Sequence, residues 1–210
     1  MARRLIIDPR APDAESLRDV ADALAAGEVV AYPTDTLYGL AVDPRNAVAV
    51  HRLFALKGRA PDMAVPVIAA DLEQVEAQTG RLSGLDRRLA ERFWPGPLSL
   101  AIDAWPSLAP GVMSADGTVA VRVPAHAIAR AIARLAGHPI TATSANRTGA
   151  PPPATAGEVL AGLGDAVAMV VDGGPTQGGA PSTIVRVRKG RVALVREGAI
   201  PWARVLELQQ

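Results

Sequence analysis

The segment Tyr32-Pro33-Thr34-Asp35-Thr36-Leu37-Tyr38-Gly39-Leu40 places hydroxyls at alternating positions, directly after the apolar run Val29-Val30-Ala31. As extended chain it directs Thr34, Thr36 and Tyr38 to one face. Such a row can orient a small polar ligand without adding charge, or form the solvated end of a strand. Leu56-Lys57-Gly58-Arg59 reads in two ways, as an ordinary helix C-terminus closed by glycine or as a phosphate contact. In Thr118-Val119-Ala120-Val121-Arg122, alternation puts Thr118, Ala120 and Arg122 on one face. An unpaired guanidinium among valines is costly. Arg122 therefore pairs with a core carboxylate or faces a cleft, where its fork can hold a ligand carboxylate.

Residues 141–146, Thr-Ala-Thr-Ser-Ala-Asn, leave a strand and enter a loop. The run can be a hydroxyl-capped turn. It can also be a binding loop beyond the carboxyl end of a strand, where open α/β sheets gather their ligands. Gly173-Gly174, Gly178-Gly179 and Ser182-Thr183 make a glycine-rich approach to a strand. The Gly-Lys-Ser/Thr of a phosphate loop is absent, as is G-x-G-x-x-G, so any nucleotide site is of another type. Arg186, Arg188, Lys189, Arg191 and Arg196 cluster at the final hairpin, as a solvated face or a contact for RNA backbone.

Alternating helix-like and strand-like segments must position these residues. Leu17, Val20, Ala21 and Leu24 recur at helical spacing, followed by a strand near 28–31. Asn46 and Asp71 are candidate N-caps. Helices are expected at 85–93, 125–137 and 155–163, and strands at 64–70, 98–102, 118–123, 140–143 and 167–171. A hairpin pairs 183–187 with 191–195 through Arg188-Lys189-Gly190. This order predicts an α/β domain built on a mixed sheet. With 210 residues the chain suits a single domain, and 49% apolar against 3% aromatic residues implies a core of Ala, Val, Leu and Ile. Basic and acidic residues number 22 and 21, so no global attraction to nucleic acid follows. The absence of cysteine excludes thiolate catalysis and disulfides, and the three histidines match no metal-binding spacing. No apolar run approaches the ~20 residues of a membrane span, and the N-terminus lacks a signal-peptide pattern, so a cytoplasmic protein is expected.

From about residue 14 to 198 the chain resembles the YrdC-like threonylcarbamoyl-AMP synthase family. The resemblance is carried by YPTDTLYGL, LKGR, RFWPGPLSL, TVAVRVP, TSANRTG, APSTIV and LVREG, in the family's order. It implies a twisted, open mixed sheet with flanking helices around a basic cavity. It also implies an enzyme joining L-threonine, bicarbonate or CO2 and ATP into threonylcarbamoyl-AMP and pyrophosphate. A downstream transferase complex then modifies adenosine 37 of tRNA. Residue by residue, the resemblance assigns Thr36, Arg122, Ser144 and Ser182 to threonine, and Lys57, Arg59, Thr118, Asn146 and Arg196 to ATP, which arrives with Mg2+. No catalytic dyad is implied. Where relatives often continue Arg-Pro-x-Asp-Lys/Asn-Pro, this chain reads Arg59-Ala60-Pro61-Asp62-Met63-Ala64, and Ile68 stands where some long forms have a threonine-contacting histidine. The length is that of the short, single-domain form. The alternative is a paralogue that binds nucleotide or double-stranded RNA without making the adenylate.

Overall fold

Side-chain caps start four of the helices, two of them, Asn46 and Asp71, at the residues expected from the sequence. In a computed structural model describing residues 2–58 and 64–209, Asp13 accepts from Glu15 N and Ser16 N to open α1 (Ala14–Ala25). Asn46 does the same for Val48 N and Ala49 N at the start of α2 (Ala47–Lys57). Asp71 caps α3 (Leu72–Thr79), and α4 (Gly84–Phe93) and α5 (Ala127–Ala136) follow. A reciprocal Thr155/Glu158 capping box opens α6 (Ala156–Leu163). A short α7 (Trp202–Leu206) ends the fold and has no counterpart in the sequence reading.

The strands, in chain order, are β1 (Arg3–Ile6), β2 (Val30–Pro33), β3 (Tyr38–Ala41), β4 (Val67–Ile68), β5 (Leu98–Asp103) and β6 (Thr118–Arg122). After them come β7 (Ile140–Thr141), β8 (Thr143–Ser144), β9 (Met169–Asp172), β10 (Thr183–Arg188) and β11 (Arg191–Arg196). They form two mixed sheets, ordered β1-β9-β2-β3-β8 and β11-β10-β5-β6-β4-β7, where a single sheet was expected. The expected strand at 140–143 is the reason: it breaks at Ala142, whose N–H donates to Pro66 O at 2.8 Å. β7 pairs with β4 and β8 pairs with β3, so the chain changes sheet across one residue.

Thr141 locks that corner. Its Oγ1 accepts from Val42 N at 2.9 Å and donates to Leu40 O at 3.2 Å, and Tyr32 OH donates to Thr141 O at 3.0 Å. All of this is buried. One apolar cluster brings α2, α4 and α6 together with strands of both sheets through Leu53, Leu89, Val121 and Val159. A second packs α1 and α5 against β2 and β9 through Leu17, Leu24, Ile128 and Ile132. Both are aliphatic, as the composition requires. The expected strand at 64–70 shrinks to β4, the two residues that find partners on β6 and β7. β1 is an edge strand seen only through its parallel pairing with the distant β9. No helix among the described residues is long and apolar enough to cross a membrane.

Thr141→Val keeps the side-chain shape but leaves Val42 N–H without its buried acceptor. Such a loss costs about 1–3 kcal/mol, to be read as a lower midpoint in urea unfolding.

Candidate binding site

The hydroxyl-rich segment is a hairpin, not one strand, which corrects the extended reading. β2 and β3 pair antiparallel with Pro33 opposite Tyr38, and residues 34–37 form the turn. Thr34 closes it: its N–H and Oγ1–H donate to Leu37 O, while its Oγ1 accepts from Thr36 N and Leu37 N. This is the local hydroxyl-to-backbone bonding that makes threonine a turn residue. Thr34 Oγ1 also meets Thr36 Oγ1 at 3.1 Å. Tyr38 does not present its hydroxyl as a third member of a row. Its OH donates to Gly174 O at 2.8 Å, and burial helps push its pKa up to about 12.

The turn also delivers Asp35. Its Oδ1 accepts from Arg122 Nη1 at 2.7 Å, and both side chains are about nine-tenths buried. The two possibilities left open for Arg122 are realised together: it pairs with a carboxylate and it lines a cavity of about 510 Å³, a size suited to a small-molecule ligand. Among the described residues, Nη1 to Asp35 is the guanidinium's single hydrogen bond.

Thr36, Lys57, Ser144, Asn146, Ser182 and Arg196 line the same cavity, so the structure gathers seven of the nine residues singled out in the sequence. Arg59 lies outside the described residues, as does Met63. Thr118 is not on the cavity wall. Its hydroxyl is bonded to Asp116 Oδ1 at 2.7 Å and Ser114 Oγ at 2.8 Å, four residues along β6 from Arg122. Ile68 stands opposite Arg122 in the β4/β6 ladder, with its side chain in the second apolar cluster.

Gly58 does adopt the left-handed cap geometry, φ 60°, and its N–H returns to Ala55 O. That turn ends α2 with Lys57 aimed at the loop after β8. Lys57 Nζ donates to Ser144 O at 2.6 Å and to Asn146 O at 2.7 Å, holding the loop that carries both residues. Asn146 Nδ2 in turn donates to Arg147 O and Ala150 O. Across the cavity, Arg196 Nη2 donates to Ser182 O at 2.7 Å and Ser182 Oγ at 3.2 Å, and Ser182 Oγ meets Ser99 Oγ at 3.1 Å. Burial and the neighbouring charge of Arg122 lower the Arg196 pKa. Two guanidiniums and an ammonium thus face a space whose described lining holds no carboxylate, histidine or cysteine. Such a wall can bind an anion and hold it in register. Its cations and hydroxyls suit catalysis by positioning and charge stabilisation. Among the described residues no group of three or more acidic or histidine side chains can hold a metal ion. At the final hairpin, Arg186 pairs with Asp116, and Arg188 approaches it at 3.8 Å.

The sequence reading missed Asp35, because an alternating strand turns it away from Thr34 and Thr36. Ser99 gave no signal either; it enters through the β5/β10 pairing. Gly198 has a steric reason to be glycine: a Cβ there would stand 2.6 Å from Ser182 C and Thr183 N. Gly198→Ala should therefore displace the backbone carrying Ser182 and destabilise the fold by about 1–3 kcal/mol, measured as a lower thermal midpoint with shifted amide resonances around Ser182.

A family profile named for Sua5, YciO and YrdC, and described as telomere recombination, matches residues 22–198. The threonylcarbamoyl-AMP synthase of Bacillus subtilis is 38% identical over 196 residues, covering 93% of this chain and 57% of that protein. The threonylcarbamoyl-AMP synthase of Thiobacillus denitrificans is 38% identical over 169 residues, covering 80% of this chain and 89% of that one. The crystal structure of Pyrococcus abyssi Sua5 complexed with L-threonine superposes with a TM-score of 0.89 at 32% identity, covering 99% of this chain and 60% of that chain. The chain thus spans little more than half the length of some relatives and most of the length of others.

Proposed function

Because the chain belongs to the Sua5/YciO/YrdC family, we propose that it is a threonylcarbamoyl-AMP synthase, consuming L-threonine, CO2 from bicarbonate, and ATP. The observation that carries this reading is the geometry of Arg122, anchored by one nitrogen on Asp35 while lining a cavity of about 510 Å³. The rest of its planar fork suits an amino-acid carboxylate. Thr36, Ser144 and Ser182 supply hydroxyls around it, and the related Pyrococcus abyssi protein is known with L-threonine bound.

In the proposed reaction the threonine amine attacks CO2 and loses a proton, giving a carbamate. A carbamate oxygen then attacks the α-phosphorus of ATP. The bond from that phosphorus to the β-phosphate bridging oxygen breaks, and pyrophosphate leaves with the electron pair. No side chain need form a covalent bond. Lys57 fixes the Ser144 and Asn146 loop, and Arg196 and Arg122 offset negative charge, the kind of stabilisation that dominates phosphoryl-group transfer. The resemblance also assigns Arg59 and Thr118 to ATP, and Thr118, with its hydroxyl held by Asp116 and Ser114, would meet it outside this cavity. The described wall offers hydroxyls, an amide and cations, a poor donor set for a protein-held Mg2+, which prefers carboxylates. Mg2+ therefore enters with the triphosphate as part of the substrate. The product would pass to a transferase that modifies tRNA.

The test is pyrophosphate release by the purified protein with MgATP, L-threonine and bicarbonate, leaving out each in turn. Release that requires both threonine and bicarbonate is expected. Release without threonine, or none with ATP bound, would contradict the assignment.

A further inference from the structure

Among the described residues, three buried side-chain polar atoms have no hydrogen-bond partner: Asp35 Oδ2, His126 Nδ1 and Arg130 Nε. They belong to one neighbourhood. His126 is the N-cap residue of α5, and Arg130, one turn later, donates its N–H to His126 O at 3.1 Å. The imidazole and the β2 end of the hairpin both approach Gly173: a Cβ there would stand 3.0 Å from Pro33 Cγ and 3.7 Å from His126 Cε1. Asp35 lies two residues beyond Pro33, and the charges of both Asp35 and Arg130 act on the His126 ring. Orphaned buried polar atoms are rare in native proteins, so these three call for a partner.

Their chemistry fits one. Arg130 Nε–H can only donate and Asp35 Oδ2 can only accept, while a neutral imidazole protonated on Nε2 accepts at Nδ1. A single water can accept from Arg130 and donate one hydrogen each to Asp35 and His126. That makes three bonds, the usual number for a buried water. Burial lowers the His126 pKa and outweighs the opposing pull of the Asp35 carboxylate, and Arg130 adds to the lowering, so the neutral ring is favoured.

We propose that His126 and Arg130 are positioning residues, fixing the second oxygen of Asp35 through a bridging water so that its first oxygen holds Arg122 toward the cavity. The inference rests on the threonine-binding reading above and adds residues that do not touch the substrate. His126→Phe keeps a ring and removes both nitrogens. His126→Asn restores a polar atom near the place of Nδ1, and His126→Gln puts one near Nε2 instead.

The experiment is steady-state pyrophosphate release by these variants, with thermal midpoints alongside. His126→Phe should raise the KM for threonine about tenfold, the effect of orphaning one buried charged group, with the KM for ATP unchanged. His126→Asn should recover most of the loss and His126→Gln less. Arg130→Met should show the same split, and it serves as the second reading if His126→Phe does not fold. A folded His126→Phe with the wild-type threonine KM would overturn the proposal, as would equal rises in both KM values. A wild-type protein that releases no pyrophosphate with threonine would overturn the functional reading itself, an outcome distinct from an active wild type with an unaffected variant.

Discussion

The ion pair between Arg122 and Asp35 is the constraint on which the site depends. A guanidinium in an apolar strand is tolerable only with a partner, and removing either member of a buried pair costs about 3–5 kcal/mol. The partner comes from the turn of another sheet, 87 residues earlier in the chain. Each sheet must therefore be correctly placed for the pair to exist. The turn is closed by Thr34, and the corner between the sheets is locked by Thr141. Both devices spend buried hydroxyls on backbone groups, while the Arg122 guanidinium lines the cavity.

The other side chains at the cavity follow the same division of labour. Lys57 and Arg196 bind backbone carbonyls of two different segments, so each cation holds chain in place while contributing charge. A carboxylate or phosphate entering this space meets groups already oriented, with little left to reorganise. For a reaction whose bond-making partners are all supplied by substrates, such preorganisation is what a protein can add.

Much of this was legible in the sequence because local chemistry decided it. Asn46 and Asp71 cap helices as expected, the helices that Asp13 and Thr155 open lie where helices were expected, and Gly58 closes α2 as its position suggested. Seven of the residues that the resemblance singled out, from six separate segments, line one cavity. What was not legible is non-local. Period-two alternation fits a strand and a tight hairpin equally well, so Asp35 was turned the wrong way. The change of sheet at Ala142 depends on Pro66, and β1 depends on β9, far along the chain. Thr118 sits on the expected face of β6, but Asp116 and Ser114 engage its hydroxyl, which strand periodicity cannot reveal.

The most direct measurement is calorimetric binding of L-threonine and of L-threoninol, which replaces the carboxylate with a hydroxymethyl group, to the wild type and to Arg122→Ala. If Arg122 receives the carboxylate, the wild type prefers threonine by about tenfold or more, the usual worth of a charge-assisted contact. Arg122→Ala then binds both compounds with similar weak affinity. A folded Arg122→Ala protein that keeps the wild-type preference would contradict the account and place the carboxylate elsewhere in the cavity.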